Sequence, residues 1–328
     1  MSVIKNNKNY GTRVKLEDVP PVLTTLNATA NGTYTPTSPV QGYSSVTVNV
    51  GNTPVDYFYV EDASGSDNTL SIVKGNEPVE VFYSTDQTNW TSMGTTSSTA
   101  ITATVPANSK LYLKTVADKW NEFFAIDCSG VFKIGGGIMS LLYGDNFADK
   151  IFTNANTYAF ARLFGYNSHI IGAEDLVLPS NVIDNCYNLM FYGAENLVTA
   201  PVLPATTLAQ SCYESMFVYC ISMTTAPALP ATALAKDCYK DMFSRCLFTT
   251  APALPAPVLV NGCYGGMFKD CTNLTNVTTY ANDISASGCL SDWVNNVAAT
   301  GDFYNLGSAT YTSGVDGIPS GWTEHNSL

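Results

Sequence analysis

A cysteine and a tyrosine followed, two residues further on, by a methionine–phenylalanine pair recur along this chain at nearly constant intervals. The phrase reads CYNLMF at Cys186, CYESMF at Cys212, CYKDMF at Cys238 and CYGGMF at Cys263, and CLSDWV at Cys289 keeps the period. The four Cys-Tyr pairs are 26, 26 and 25 residues apart, and Leu-Pro pairs at Leu178, Leu203, Leu229 and Leu254 are 25, 26 and 25 apart. A degenerate earlier unit stands in TYAFARLFGYN, where Phe160, Leu163 and Phe164 fill similar slots. A catalytic constellation is needed once, whereas a ladder of identical rungs repeats. A unit this short cannot bury its own apolar side chains, but neighbouring copies can bury them for one another. The expected repeat core is therefore Cys186, Tyr187, Met190, Phe191, Cys212, Tyr213, Met216, Phe217, Cys238, Tyr239, Met242, Phe243, Cys263, Tyr264, Met267 and Phe268.

Each unit reads as an extended segment followed by a helix. In TTAPALP, proline restrains its own φ and its predecessor, which favours extended chain. In PATTLAQSCYESMFVYC, the apolar positions Leu208, Cys212, Tyr213, Met216, Phe217 and Cys220 trace one face of a 3.6-residue period. Thr206 or Thr207 is placed to cap that helix. One strand, one turn and one short helix per unit predict a leucine-rich-repeat α/β solenoid with about 25–26 residues per coil over 158–300, closed by a C-terminal cap at 301–328. Between the fixed core positions the sequence varies: Asn188 and Leu189, Glu214 and Ser215, Lys240 and Asp241, Gly265 and Gly266. These residues are expected to face outward, as are Tyr192, Tyr219 and Arg245, the candidate ligand surface.

Upstream, the chain alternates like β-structure. DYFYVE, TLSIVK, PVEVFYS, AITATVP and KLYLKTV are β-branched or alternating and are divided by turn-rich segments. They predict an immunoglobulin-like β-sandwich at 53–125, without the Cys…Trp…Cys core of true immunoglobulin domains. Residues 21–52 form a small β-module, in which SSVTVNV alternates and NGTYTP and SPVQGY supply turns. Residues 126–157 join the sandwich to the repeats. Gly135, Gly136 and Gly137 fall in this junction; they lack a GK[ST] ending and Rossmann spacing, so they read as a turn and not as a phosphate loop.

Charge is distributed unevenly. Lys5, Lys8, Arg13 and Lys15 stand among the first sixteen residues with no acid, while the remainder holds 11 basic and 27 acidic side chains, a balance of −16. Residues 1–20 therefore read as a basic attachment arm on an acidic body, and an overall charge of −12 argues against a nucleic-acid partner. No run approaches a membrane span, and the start lacks the apolar stretch of a signal peptide, which predicts synthesis in a cytosol without secretory export. Yet only 13% of residues are charged, with Thr, Ser, Asn, Gly and Pro in their place, a composition suited to surface or virion proteins. Eight of the nine cysteines follow the repeat. Cytosolic synthesis disfavours bridges, and no C-x-x-C pair exists for zinc, so the cysteines are expected as small buried apolar groups.

Candidate chemistry is sparse. His169 and His325 are the two histidines, and neither has a nearby Ser or Cys with a third partner for a triad. Glu174 and Asp175 are adjacent and diverge, unlike a glycosidase pair. Oxygens from Asp62, Asp67 and Asn68, or from Asp145, Asn146 and Asp149, could hold calcium but do not follow EF-hand spacing and read as turn chemistry. The chain is expected to be non-enzymatic, with no cofactor and no metal.

The LPATTLAQSCYESMFVYC unit with its APALPAT connectors resembles the BspA-type leucine-rich repeats of bacterial surface proteins and gut phages, and GIPSGWT resembles the closing segment of such arrays. YSTDQTNWTSM…PANSKLYLK…IMSLLYGDNF is similar to the β-domain that often precedes them, and NATANGTYTP…GYSSVTVNV to a small module of phage virion proteins. The resemblance implies a virion-surface protein of a tailed, crAss-like phage, made in the host cytoplasm and released by lysis. Such a head or tail fibre would be a homo-oligomer, dimer or trimer, bound to capsid or tail proteins through its N-terminal arm. Its repeats would be displayed for adhesion to a host-surface glycan or protein, with no membrane insertion. The alternative is a bacterial surface adhesin or secreted binding module whose export signal lies outside this sequence.

Overall fold

The computed structural model describes residues 55–73, 78–115, 125–153 and 156–327, together with the backbone of five short strands before them. The chain divides into two compact units, Met1–Val55 and Asp56–Leu328. In the first, β1 (Val3–Lys5) and β3 (Thr25–Ala28) flank β2 (Thr12–Leu16) antiparallel, and β4 (Gly32–Tyr34) pairs antiparallel with β5 (Val46–Val48). Of the basic residues, Lys5 lies in β1, and Arg13 and Lys15 lie in β2. Their side chains, and Lys8 altogether, fall outside the described residues.

The second unit opens with β6 (Tyr59–Asp62), β7 (Asn68–Val73), β8 (Glu80–Ser84), β9 (Thr91–Thr95), β10 (Ile101–Val105), β11 (Lys110–Thr115), β12 (Ala125–Cys128) and β13 (Phe132–Gly137). Strand β14 (Ile170–Val177) joins them to make a six-stranded sheet in the order β14-β13-β6-β11-β8-β9, while β10, β7 and β12 form a smaller antiparallel one. Alternation places Leu70 and Ile72 of β7 and Leu111 and Leu113 of β11 in the core. The one α-helix among the described residues, α1 (Ser140–Tyr143), is a single turn running into a 3₁₀ turn at Gly144–Asn146. Ser140 Oγ anchors it, donating to the Leu113 carbonyl at 2.9 Å and accepting from the Phe58 amide at 3.0 Å.

The expected fold class is corrected in two respects. Instead of an independent immunoglobulin-like sandwich followed by a separate array, the parallel pairing of β13 with β14 carries the large sheet into the repeat region. Nor is there a leucine-rich-repeat solenoid of strand–turn–helix coils: no helix occurs among the described residues of 158–300, so Thr206 and Thr207 have none to cap. The backbone gives the reason. Every fourth residue of the segments read as helical is left-handed, as at Ser211, Ser215 and Tyr219 or Gly262, Gly266 and Asp270, with φ between +51° and +65°. A left-handed residue cannot propagate a right-handed helix. Each segment is therefore a chain of successive turns.

The turns divide the backbone amides evenly. Cys212, Glu214, Met216, Val218 and Cys220 donate three residues back within their own segment, while Ser211, Tyr213, Ser215, Phe217 and Tyr219 donate to the next one, reaching Lys236, Cys238, Lys240, Met242 and Ser244 at 2.8–3.1 Å. A helix would have kept all these donors to itself. The pattern recurs in the other copies, producing six layers tied edge to edge from Phe160 to Trp293. Inside, two ring columns run through the layers. Tyr187, Tyr213, Tyr239 and Tyr264 stack at 5.7–6.1 Å, and Phe164, Phe191, Phe217, Phe243 and Phe268 at 5.4–6.0 Å. A small parallel sheet of β15 (Asn276–Thr279), β16 (Asp302–Asn305) and β17 (Thr323–His325) lies at the C-terminal end.

Candidate functional site

The sixteen repeat-core side chains are at most 1% exposed. Their cysteines present no reactive thiolate: burial pushes the Cys186 and Cys263 thiols up to about 12 and those of Cys212 and Cys238 well above the ordinary thiol value. In three of the layers a second cysteine has a bonding role. Cys220, Cys246 and Cys271 place their Sγ 3.0–3.2 Å from the carbonyls of Phe191, Phe217 and Phe243 in the layer before.

Among the described residues of the layers, the polar and aromatic side chains open to a ligand lie on the outside, and the layers arrange them in columns. The last left-handed position of each layer is Tyr166, Gly193, Tyr219, Arg245, Asp270 and Asn296 in turn. Tyr166 packs against the bare Gly193, where an added Cβ would lie 3.0 Å from its ring. The neighbouring Tyr192 occupies the room this leaves, its ring 5.1 Å from Tyr166 and 6.3 Å from Tyr219, near-perpendicular to both. Partial burial raises the Tyr192 pKa, helped by its hydrogen bond with Tyr166. Arg245 lies over the Tyr219 ring at 4.7 Å and donates to its hydroxyl. Its Nε is 3.3 Å from Asp270, which accepts from Asn296 Nδ2 at 2.9 Å. The candidate residues Tyr192, Tyr219 and Arg245 are thus brought into one column. Tyr166, Asp270 and Asn296 extend it at both ends and were not singled out from the sequence, although their spacing of 25 to 27 residues from the next member carries the signal. A parallel row runs beside it, with Asn188 3.5 Å and Lys240 3.4 Å from the Glu214 carboxylate.

The other sequence candidates are dispersed and engaged. His169 pairs with Asp127 at 3.1 Å and His325 with Asp302 at 2.7 Å. Glu174 is held by Lys133 at 2.8 Å and by Thr199, and Tyr59 Oη stands 3.5 Å from Asp175. The Asp62 carboxylate accepts five hydrogen bonds, from Ser64 N and Oγ, Gly65 N, Asn68 Nδ2 and Asn108 N, which leaves it a turn anchor. Asp145 accepts from Lys114 at 2.5 Å and Tyr57 at 2.8 Å. Gly136, read as part of a turn into a new domain, lies within β13 with φ +71°, where a Cβ would stand 2.0 Å from the Tyr57 carbonyl. Among the described residues, no three His, Cys, Asp or Glu side chains are grouped to hold a metal, and no helix is long and apolar enough to cross a membrane.

No protein-family profile matches the chain, and no curated protein or solved structure matches it significantly.

Proposed function

We propose that this protein is a non-catalytic virion fibre of a tailed phage, whose layered region presents a binding face to the host surface. The observation that carries the reading is the outward column from Tyr166 to Asn296, with one position per layer on a scaffold whose interior is filled by stacked rings. Aromatic faces, a guanidinium and planar polar side chains held at fixed spacing suit adhesion, because the side chains are already ordered before a ligand arrives. The basic residues Lys5, Lys8, Arg13 and Lys15 attach the fibre to an acidic surface on capsid or tail proteins, and copies of the chain assemble as a homo-oligomer. The likeness of the repeats to BspA-type sequences supports the same assignment.

Two measurements test it. Full-length protein and a version lacking residues 1–20 are mixed with fibre-depleted particles; equal incorporation refutes the anchor. Fluorescent full-length protein is then applied to a panel of gut bacterial isolates alongside Tyr219→Ala. Cell binding that falls with the substitution supports display, and absence of binding to every isolate rejects it.

A further inference from the structure

Resting on that display reading, we propose that the column is a run of subsites for one neutral polysaccharide chain lying along the stack. A surface that repeats the same position in six successive layers fits a ligand that itself repeats. Interior rings put the layers 5.4–6.1 Å apart, and an extended sugar chain advances by one ring per unit, on the order of 5 Å from bonds of about 1.5 Å. Glycosidic torsions absorb the difference.

The chemistry of the column divides in two. At one end Tyr166, 76% exposed, and the half-buried Tyr192 offer aromatic surface, continued by Tyr219, whose ring carries Arg245 over one face. The exposed Ile221 and Leu247 lie two residues beyond Tyr219 and Arg245 and add apolar area. Apolar C–H faces of sugar rings pack on such surfaces. At the other end Arg245, Asp270 and Asn296 are planar groups held together, Asp270 forming an ion pair with Arg245 and accepting a hydrogen bond from Asn296. Each retains donors or acceptors beyond those used, since a guanidinium has five N–H donors and a carboxylate about four lone-pair sites. Neighbouring sugar hydroxyls match that mixture of donors and acceptors.

Charge selects against the acidic polymers. The chain carries a net −12, and the column's one cation, Arg245, is already paired with Asp270, so no unpaired positive group within the column awaits a uronate or sialate. An extended peptide would seek backbone amides and carbonyls, yet the layers spend theirs on one another. A neutral glycan needs only side chains.

The experiment uses full-length protein and a bacterial isolate that it binds. Cells are treated with periodate, which cleaves sugar diols, or with protease. Neutral oligosaccharides released from the same envelope are fractionated by size and titrated calorimetrically. Binding to cells is expected to survive protease and to disappear after periodate. Affinity is expected to rise with oligosaccharide length until the chain spans the column. Tyr166→Ala and Asn296→Ala, at opposite ends, each weaken the longest fraction about tenfold and barely affect the shortest, while Tyr166→Phe retains the ring and the binding. Loss of cell binding after protease with survival after periodate overturns the glycan inference and leaves the adhesion reading standing. Affinity independent of length, or end substitutions without effect on long fractions, overturns the extended-chain geometry. No binding to any isolate removes the display reading itself.

Discussion

The carboxylate of Asp241 rests against the bare α-carbon of Gly266 in the following layer, so that a Cβ added to Gly266 would stand 2.0 Å from Oδ1. Both residues are left-handed, with φ of +53° and +61°. Gly266→Ala therefore meets two obstacles: a left-handed alanine costs about 1–2 kcal/mol, and Asp241 must be displaced. Gly288→Ala, at φ +64° with nothing within 4 Å, meets only the first. Denaturant melts should show Gly266→Ala to be the more destabilised variant, and the excess should vanish in an Asp241→Ala background. Equal losses for the two glycines would contradict the packing.

Tyr213 has its ring inside the stack and its hydroxyl without a hydrogen-bond partner. A buried unsatisfied hydroxyl costs about 1–3 kcal/mol, so Tyr213→Phe should leave stability unchanged or raise it by about 1 kcal/mol. Removing the ring is another matter. Tyr213→Ala opens a cavity between Tyr187 and Tyr239 and should cost about 3–5 kcal/mol. A phenylalanine variant that melts well below the parent would mean that the hydroxyl has a partner.

All nine cysteines are buried and unbridged, and burial raises the thiol pKa values throughout the layers. Thiolate is the species that reacts. Native protein at pH 8 should thus leave a colorimetric disulfide reagent almost unreacted, whereas denatured protein should release nine equivalents under the same conditions. Stoichiometric reaction before unfolding would show that the layers open readily.

Burial alone would raise the pKa of Asp62, but the hydroxyl of Ser64 and the amides of Asn108, Ser64 and Gly65 outweigh it and bring it down to about 2. A folded-state value below the ordinary one of about 3.9 stabilises the protein above that ordinary value, and the contribution disappears as pH falls through about 2. Asp62→Asn cannot accept the same set of donors on both oxygens. Its melting temperature should lie below the parent's at pH 7, with the gap closing between about pH 4 and pH 2. A gap that stays constant over that interval would exclude the carboxylate as its source.

The periodicity that makes the layers legible also disguises their backbone. Core positions such as Cys212, Tyr213, Met216 and Phe217 come in pairs four residues apart, a spacing shared by a helix and by turns that place a left-handed residue every fourth position. Apolar pattern alone cannot separate the two. The deciding residues lie between the core pairs: Asn185, Ser211, Ser215, Asp237, Asp241, Gly262, Gly266 and Gly288 are of types that tolerate positive φ or favour turns over helix. Read as variable surface, they conceal the turns; read as a column in their own right, they point to them. Leu189, Tyr219 and Arg245 occupy the same positions without that chemistry, which weakens the signal. The outward column was visible at Tyr192, Tyr219 and Arg245 because their large side chains stand out. Asp270 and Asn296 keep the same spacing of 25 and 26 residues, but their short polar side chains do not stand out, and the contacts that join them to Arg245 run across layers. The junction of β13 with β14 was hidden for a related reason, since the pairing joins residues 38 to 40 positions apart in the chain.

Ser215 offers the sharpest test of turn against helix, because the two backbones predict opposite orders for the same substitutions. In a helix interior alanine is favoured over glycine by about 1 kcal/mol. At φ +57° the preference reverses, since alanine bears the left-handed penalty of about 1–2 kcal/mol and glycine does not. Ser215 is only partly buried, and the exchange removes few contacts. Equilibrium unfolding should therefore rank Ser215→Gly at or above the parent and Ser215→Ala below it. An alanine variant more stable than the glycine variant would restore the helix and remove the alternating amides that tie one layer to the next.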